Sequence, residues 1–180
     1  MANTVQQYTP EEIAKSKEYI DGYIQRARKA QAEIENYTQS QVDRLVMAIA
    51  KAVYDNAEYL AKLAIKETQM GVLEDKIAKN KGKASIIWNS LKGKKSVGII
   101  ERDEEAGIVK VAKPIGVVAA ITPMTNPIVT PMSNAMFAVK GRNAIVITPH
   151  HRAIRCSTET VNLINAELKK LGAPEHLVQI

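Results

Sequence analysis

Residues 114–152 read PIGVVAAITPMTNPIVTPMSNAMFAVKGRNAIVITPHHR, and this stretch decides the fold. Ile115 to Ile121 is an unbroken apolar run, the pattern expected of a strand buried on both faces in a parallel sheet. A helical segment ending near Lys140 follows, Gly141-Arg142-Asn143 makes a turn, and Ala144 to Thr148 is a second buried strand. Downstream, Arg152 to Leu171 is an amphipathic helix with Ile154, Val161, Ile164 and Leu168 turned inward. Gly172-Ala173-Pro174 breaks it, and Leu177 to Ile180 begins a third strand. Strand, helix, strand, helix, strand opens a doubly wound α/β sheet. Right-handed crossovers place ligands at the carboxyl ends of its strands, after Ile121 and after Ile147. The last strand reaches the final residue with nothing to cover it, so the expected class is α/β with an incomplete Rossmann-like parallel sheet.

Upstream of Ser96 every signal is helical. Thr9-Pro10-Glu11-Glu12 is a capping box with proline at the first helical position, where its missing N–H costs nothing. Ile13, Ile20, Tyr23, Ile24, Ala27 and Ile34 follow at helical spacing. A second capping box, Thr38 to Gln41, introduces the stripe Val42, Leu45, Val46, Ile49 and Val53. Asn56 is expected to cap a third helix carrying Leu60, Leu63 and Ala64 and stopping at Gly71. A fourth, from about Glu74 to Leu91, buries Ile77, Ala84, Ile87 and Trp88. Such stripes are core packing and carry no chemistry. Beyond Ser96, Val97 to Ile100 and Ile108 to Val111 flank the acidic turn Arg102–Gly107 and form a hairpin that Pro114 ends. Residues 1–95 are thus expected to be helical, 96–113 a hairpin, and 114–180 the first part of a Rossmann-like domain.

The formal net charge of +6 suits an anionic ligand or nucleic acid. Seven lysines lie between Lys76 and Lys95, at 76, 79, 81, 83, 92, 94 and 95. Single-strand binders interleave aromatics with basic residues so that bases have faces to stack on, and this stretch offers only Trp88. The run reads as a solvated helix face, with a site for nucleotide phosphates as the alternative, and no nucleic-acid partner is expected. No apolar run approaches the ~18 residues of a membrane span. The first residues, MANTVQQYTPEE, lack the layout of a secretory signal. A single cysteine, Cys156, excludes an intrachain disulfide framework and fits a reducing cytoplasm.

Three places could carry chemistry. The loop Thr122-Pro123-Met124-Thr125-Asn126-Pro127 has two readings. In the first it is a capped helix start, with Asn126 before Pro127 or Thr130 before Pro131. In the second, the Asn126 amide donates to an oxygen that becomes anionic during reaction, a contribution of about 2.7–4 kcal/mol for such a donor. No GxGxxG follows this strand and no Walker-type loop exists, so no glycine turn here cradles a pyrophosphate. In Thr148-Pro149-His150-His151-Arg152, adjacent histidines point apart in most backbones and no carboxylate or cysteine lies near, so no metal is expected. One histidine is read as lining a nucleotide cleft while Arg152 opens the helix. Cys156 sits early in that helix, where Arg155 and the helix N-terminus would lower its pKa. Its place in an amphipathic helix, with nothing to bring it near the Asn126 loop, makes it structural.

The ordered series Pro114-Ile115-Gly116-Val117-Val118, Thr122–Pro127, Lys140-Gly141-Arg142-Asn143-Ala144 and Thr148–Ala153 resembles the CoA-acylating aldehyde dehydrogenases, the branch with acetaldehyde, succinate-semialdehyde and sulfoacetaldehyde dehydrogenases. Glu67-Thr68-Gln69-Met70-Gly71 and Glu74-Asp75-Lys76 extend the resemblance over nearly the whole chain. It implies an oxidoreductase in which a cysteine thiolate attacks a small aldehyde, NAD or NADP takes the hydride, and coenzyme A receives the acyl group. Asn126 then falls on the oxyanion-stabilising asparagine. Thr122, Pro123, Met124 and Thr125 fall on the loop under the nicotinamide, and Thr148 and His150 fall where the adenosine ribose is approached. A lysine that hydrolytic relatives carry near Thr148 is absent, as in the acylating branch.

The hairpin corresponds to the family's oligomerisation arm, which implies a homo-oligomer. Met124, Thr130, Met132 and Met136 resemble the sulfoacetaldehyde and succinate-semialdehyde subset. Two features depart from the pattern. His151 stands where the family usually has proline, and Cys156 does not match the nucleophile, which lies beyond the third strand. The chain is therefore expected to be a portion without its catalytic domain, or else a catalytically inactive truncated homologue serving as a binding or assembly module.

Overall fold

The computed structural model describes residues 8–180, so the reading of residues 1–7 as free of a secretory signal lies outside the described residues. Helix α1 (Pro10–Ile34) starts at the expected capping box: the Glu12 N–H donates to Thr9 Oγ1 at 3.2 Å and the Thr9 N–H donates to the Glu12 carboxylate at 2.8 Å. The same reciprocal pair at Thr38 and Gln41 starts α2 (Gln39–Asp55). The inward face of α1 is shorter than its apolar spacing suggests. Ile13 and Ile20 are exposed, and only Ala27, Ala30 and Ile34 are buried, because only the last turns lie against the sheet.

Helix α3 (Ala57–Thr68) departs from expectation at both ends. Asn56 does not cap it, since its Nδ2 donates backwards to the Ala52 carbonyl at 2.8 Å. Gln69, at φ 56°, closes the helix two residues before Gly71. Helix α4 (Leu73–Leu91) is tied to the start of α3 by the buried Asn80, whose Nδ2 donates to the Ala57 carbonyl at 3.1 Å. Strands β1 (Gly98–Asp103) and β2 (Ile108–Ala112) form the hairpin, with an irregularity between Ile99 and Glu101. Its strands run further than the apolar residues alone, leaving residues 104–107 as the turn.

The remaining elements are β3 (Val117–Ile121), α5 (Val129–Lys140), β4 (Ala144–Thr148), α6 (Ile154–Lys170) and β5 (Val178–Gln179). The three strands are parallel in the order β3-β4-β5. Central β4 meets the expectation of burial on both faces, with consecutive Ala144 and Ile145 both buried. Strand β3 does not. Ile121 is 88% exposed and Ile115, ahead of the strand, 89%, while Ala120 alone is buried, because Ala119 and Ile121 share a face of the sheet on which Thr148 of β4 is exposed too. Helix α2 packs across α5 and α6, so Val42, Leu45 and Ile49 share one core with Met132, Met136 and Ile164. Ile154 is exposed rather than inward, standing at the first residue of α6 before its stripe turns to the core.

The turn between α5 and β4 joins the parts. Asn143 Oδ1 accepts from the N–H groups of Ile115 and Gly116 at 2.7 and 2.8 Å, fixing the entry to β3. Arg142, in the left-handed region at φ 59°, donates to the Glu35 carbonyl after α1 at 2.5 Å and to the Ala112 carbonyl of β2 at 3.0 Å. Lys140 pairs with Asp43 of α2 at 2.5 Å. Among the described residues no helix is long and apolar enough to cross a membrane.

Candidate active site

The carboxyl ends of β3 and β4 stand side by side, as their parallel register requires. Thr122, immediately after β3, donates its N–H to the Thr148 carbonyl at 2.9 Å. Its hydroxyl lies 3.5 Å from the same oxygen and the residue is buried, so its side chain shapes the loop from within. Pro123 and Thr125 are exposed, Met124 is half-buried against the core, and Pro127 is buried. The Thr130 N–H donates to the Asn126 carbonyl at 3.1 Å, which anchors the backbone of Asn126 to the first turn of α5. Neither expected cap forms. The helix begins at Val129, so Thr130 and Pro131 lie inside its first turn, and no side chain caps it.

Asn126 is half-buried and its amide is polarised by a neighbour that its local sequence does not disclose. Lys79 of α4 donates its ammonium to Asn126 Oδ1 at 3.0 Å. Among the described residues Nδ2 has only the Thr125 hydroxyl, at 3.4 Å, the long limit of a hydrogen bond. The amide therefore presents a donor that is barely engaged. Beside it, a gap of about 10 Å³ bounded by Ala61, Ala64, Lys76 and Asn80 has room for about one water. Lys76 is buried as well, and burial, followed by the charge of Lys79, pulls its pKa down. Two of the seven lysines read as a solvated face thus turn inward at the loop, because α4 packs against α3 and α5.

Beyond the loop, Thr148 is exposed at the end of β4 and His150 is half-exposed. The Arg152 N–H donates to His150 Nδ1 at 3.1 Å, so Nδ1 is taken up as an acceptor. The rings of His150 and His151 stack, with centroids 4.2 Å apart, rather than diverging, because the turn at 151–152 folds the chain back. Arg152 sits in that turn, two residues ahead of α6. Among the described residues no three His, Cys, Asp or Glu side chains gather as a metal site would require.

Cys156 is closer to the loop than its sequence context suggests: the hydroxyl of Ser157 donates to the Pro127 carbonyl at 3.0 Å. It is nevertheless buried, with Sγ 3.5 Å from the Ala153 carbonyl. Its thiol is pushed up to about 12, first by burial and then by the Glu67 carboxylate, the reverse of the lowering expected from Arg155 and the helix N-terminus. Glu67 supplies what α6 lacks, since Ala153 has no capping side chain. Its two oxygens accept from the N–H groups of Arg155 and Cys156, each at 2.8 Å.

The chain as a whole has similar counterparts. The acetylating succinate-semialdehyde dehydrogenase of Clostridium kluyveri is 59% identical over 161 residues, 89% of this chain and 36% of that protein. An acylating sulfoacetaldehyde dehydrogenase of Bilophila wadsworthia is 48% identical over 89% of this chain and 35% of that protein. The crystal structure of an acetylating aldehyde dehydrogenase from Geobacillus thermoglucosidasius superposes with a TM-score of 0.87 at 41% identity, covering 91% of this chain and 36% of that one. The chain spans about a third of the length of these relatives, and it matches their N-terminal part. The sequence profile of the aldehyde dehydrogenase family matches residues 3–180, and the chain belongs to that family.

Proposed function

We propose that the intact protein oxidises a small aldehyde to an acyl-CoA. In this reaction aldehyde, coenzyme A and NAD(P)⁺ become thioester, NAD(P)H and a proton. The observation that carries this reading is the polarity of Asn126: its oxygen is taken by Lys79 and its NH₂ group is left to donate. When a thiolate adds to the aldehyde carbon, the C–S bond forms as the C=O π pair moves onto oxygen. A fixed N–H donor near that oxygen favours the charged intermediate over the planar aldehyde. Cys156 does not supply the thiolate, since it is buried and protonated at neutral pH.

NAD or NADP, when bound, supplies the hydride acceptor. Pro123, Met124 and Thr125 form the proposed rim under the nicotinamide end, with Thr122 holding that loop from behind. Thr148 and His150, at the carboxyl end of β4, are proposed to meet a ribose hydroxyl of the cofactor, with Nε2 as the histidine nitrogen that makes the contact because Nδ1 already accepts from Arg152. The hairpin is proposed as an arm between subunits of a homo-oligomer, because it presents Ile99, Ile108, Val109 and Val111 to solvent. A carboxylate- or sulfonate-bearing aldehyde is the first substrate to try, given the names of the two curated relatives quoted above.

The test is an assay of the intact protein with succinate semialdehyde, sulfoacetaldehyde and acetaldehyde, each with CoA and with NAD or NADP. Thioester and reduced nicotinamide are expected to form in equal amounts. Binding of partner or cofactor without thioester under any of these conditions would replace this reading with that of an assembly module.

A further inference from the structure

We propose that Lys79 is a positioning residue that decides which end of the Asn126 amide faces the reacting carbonyl, an inference that rests on Asn126 being the oxyanion donor. The two ends of an asparagine amide are nearly the same size, so packing alone barely distinguishes them. Charge does. An ammonium has three donors and no acceptor, so it accepts only the carbonyl end as a neighbour. With Oδ1 held at 3.0 Å by Lys79, Nδ2 faces the other way, and its one hydrogen-bond partner among the described residues is Thr125 Oγ1, at 3.4 Å. The flipped amide would set donors of residues 79 and 126 face to face. It would also turn lone pairs towards an oxygen gaining negative charge, an arrangement that opposes the reaction.

The surroundings make this selection firm. Asn80, next along α4, is buried and bonded to the Ala57 carbonyl, which fixes this turn of the helix. The backbone of Asn126 is held by the Thr130 N–H. The bond between Lys79 and Asn126 joins two side chains and involves no backbone N–H or C=O group, so it caps neither helix.

The experiment is a double-mutant cycle in the intact protein, using Lys79→Met, Asn126→Ala and the pair, with Lys79→Arg as the conservative variant. Lys79→Met is expected to lower kcat by about tenfold, part of what a whole donor contributes. The aldehyde KM should move less than about twofold, since the amide acts on the transition state rather than on ground-state binding. Lys79→Arg should restore most of kcat. In the Asn126→Ala background, Lys79→Met should cost nothing further. If Lys79→Met folds poorly, the same comparison is made between Lys79→Arg and Lys79→Gln. Additive losses in the double variant, or a KM rise with kcat kept, would overturn the positioning role. Asn126→Ala with full kcat would sink the oxyanion reading and this proposal together, whereas a slow Asn126→Ala beside a fast Lys79→Met would sink this proposal alone.

Discussion

The side chain at position 67 reaches from the end of α3 to the first turn of α6, where Ala153 offers nothing to the orphan N–H groups. Burial by itself would raise the Glu67 carboxyl, but the donors of Cys156 and Arg155 outweigh it and hold the group below its ordinary 4.5. A carboxylate whose folded pKa is depressed stabilises fully above its unfolded value, and the gain is lost as pH falls through the folded value. Glu67→Gln should therefore destabilise the protein by about 1–2 kcal/mol at neutral pH, in line with loss of a charged cap. Thermal unfolding across a pH series checks it: the gap to the unmodified protein should close below the carboxylate range, and a gap independent of pH would count against the capping role. Neither this contact nor Lys79 was legible in the sequence. Glu67 meets Cys156 across 89 residues and Lys79 meets Asn126 across 47, and nothing near either residue signals its partner. Within the lysine run, the spacing of charges cannot separate an outward Lys81 from an inward Lys79.

Among the elements, the turn at residues 141–143 carries more than its length suggests. Asn143 satisfies two backbone N–H groups at the entry to β3 and donates to Ala138, while Arg142 binds carbonyls after α1 and at the end of β2. Asn143→Ala leaves those part-buried N–H groups without their acceptor and should cost about 1–3 kcal/mol, since water replaces only some of what the side chain supplied. Urea unfolding should show the midpoint falling with the slope unchanged. A midpoint within experimental scatter of the unmodified protein would contradict the bridging role.

Apolar spacing located α1 to α4 and α6, and unbroken apolar runs located β3 and β4, because such patterns report which face is covered. They failed where tertiary context decides. The apolar run at β3 reads as doubly buried, yet Ile121 is exposed at the sheet's outer strand. Thr130 and Pro131 read as a cap and first residue, yet α5 starts earlier without a side-chain cap.

Taken whole, the molecule sets a helical layer on an open parallel sheet and extends a hairpin whose apolar residues face solvent. Val109 and Val111 lie two apart on β2, hence on one face of the strand. Replacing both with aspartate in the intact protein is expected to shift sedimentation towards smaller species while leaving α2 and its core untouched. Unchanged sedimentation would remove the hairpin from the subunit interface. At this scale the sequence was most legible, since the order of motifs along the chain carries the family resemblance independently of any one contact. The placement of Asn126 at the carboxyl end of β3 was legible too. The direction of its amide was not, because Lys79 sets it.

The most direct measurement is the single-turnover rate of thioester formation by the intact protein with Asn126→Ala, set against the same rate for the unmodified protein. A fall of about 10²–10³ with aldehyde binding retained is the result expected of a lost oxyanion donor. A rate within about twofold of the unmodified protein would mean that the amide does not face the reacting oxygen.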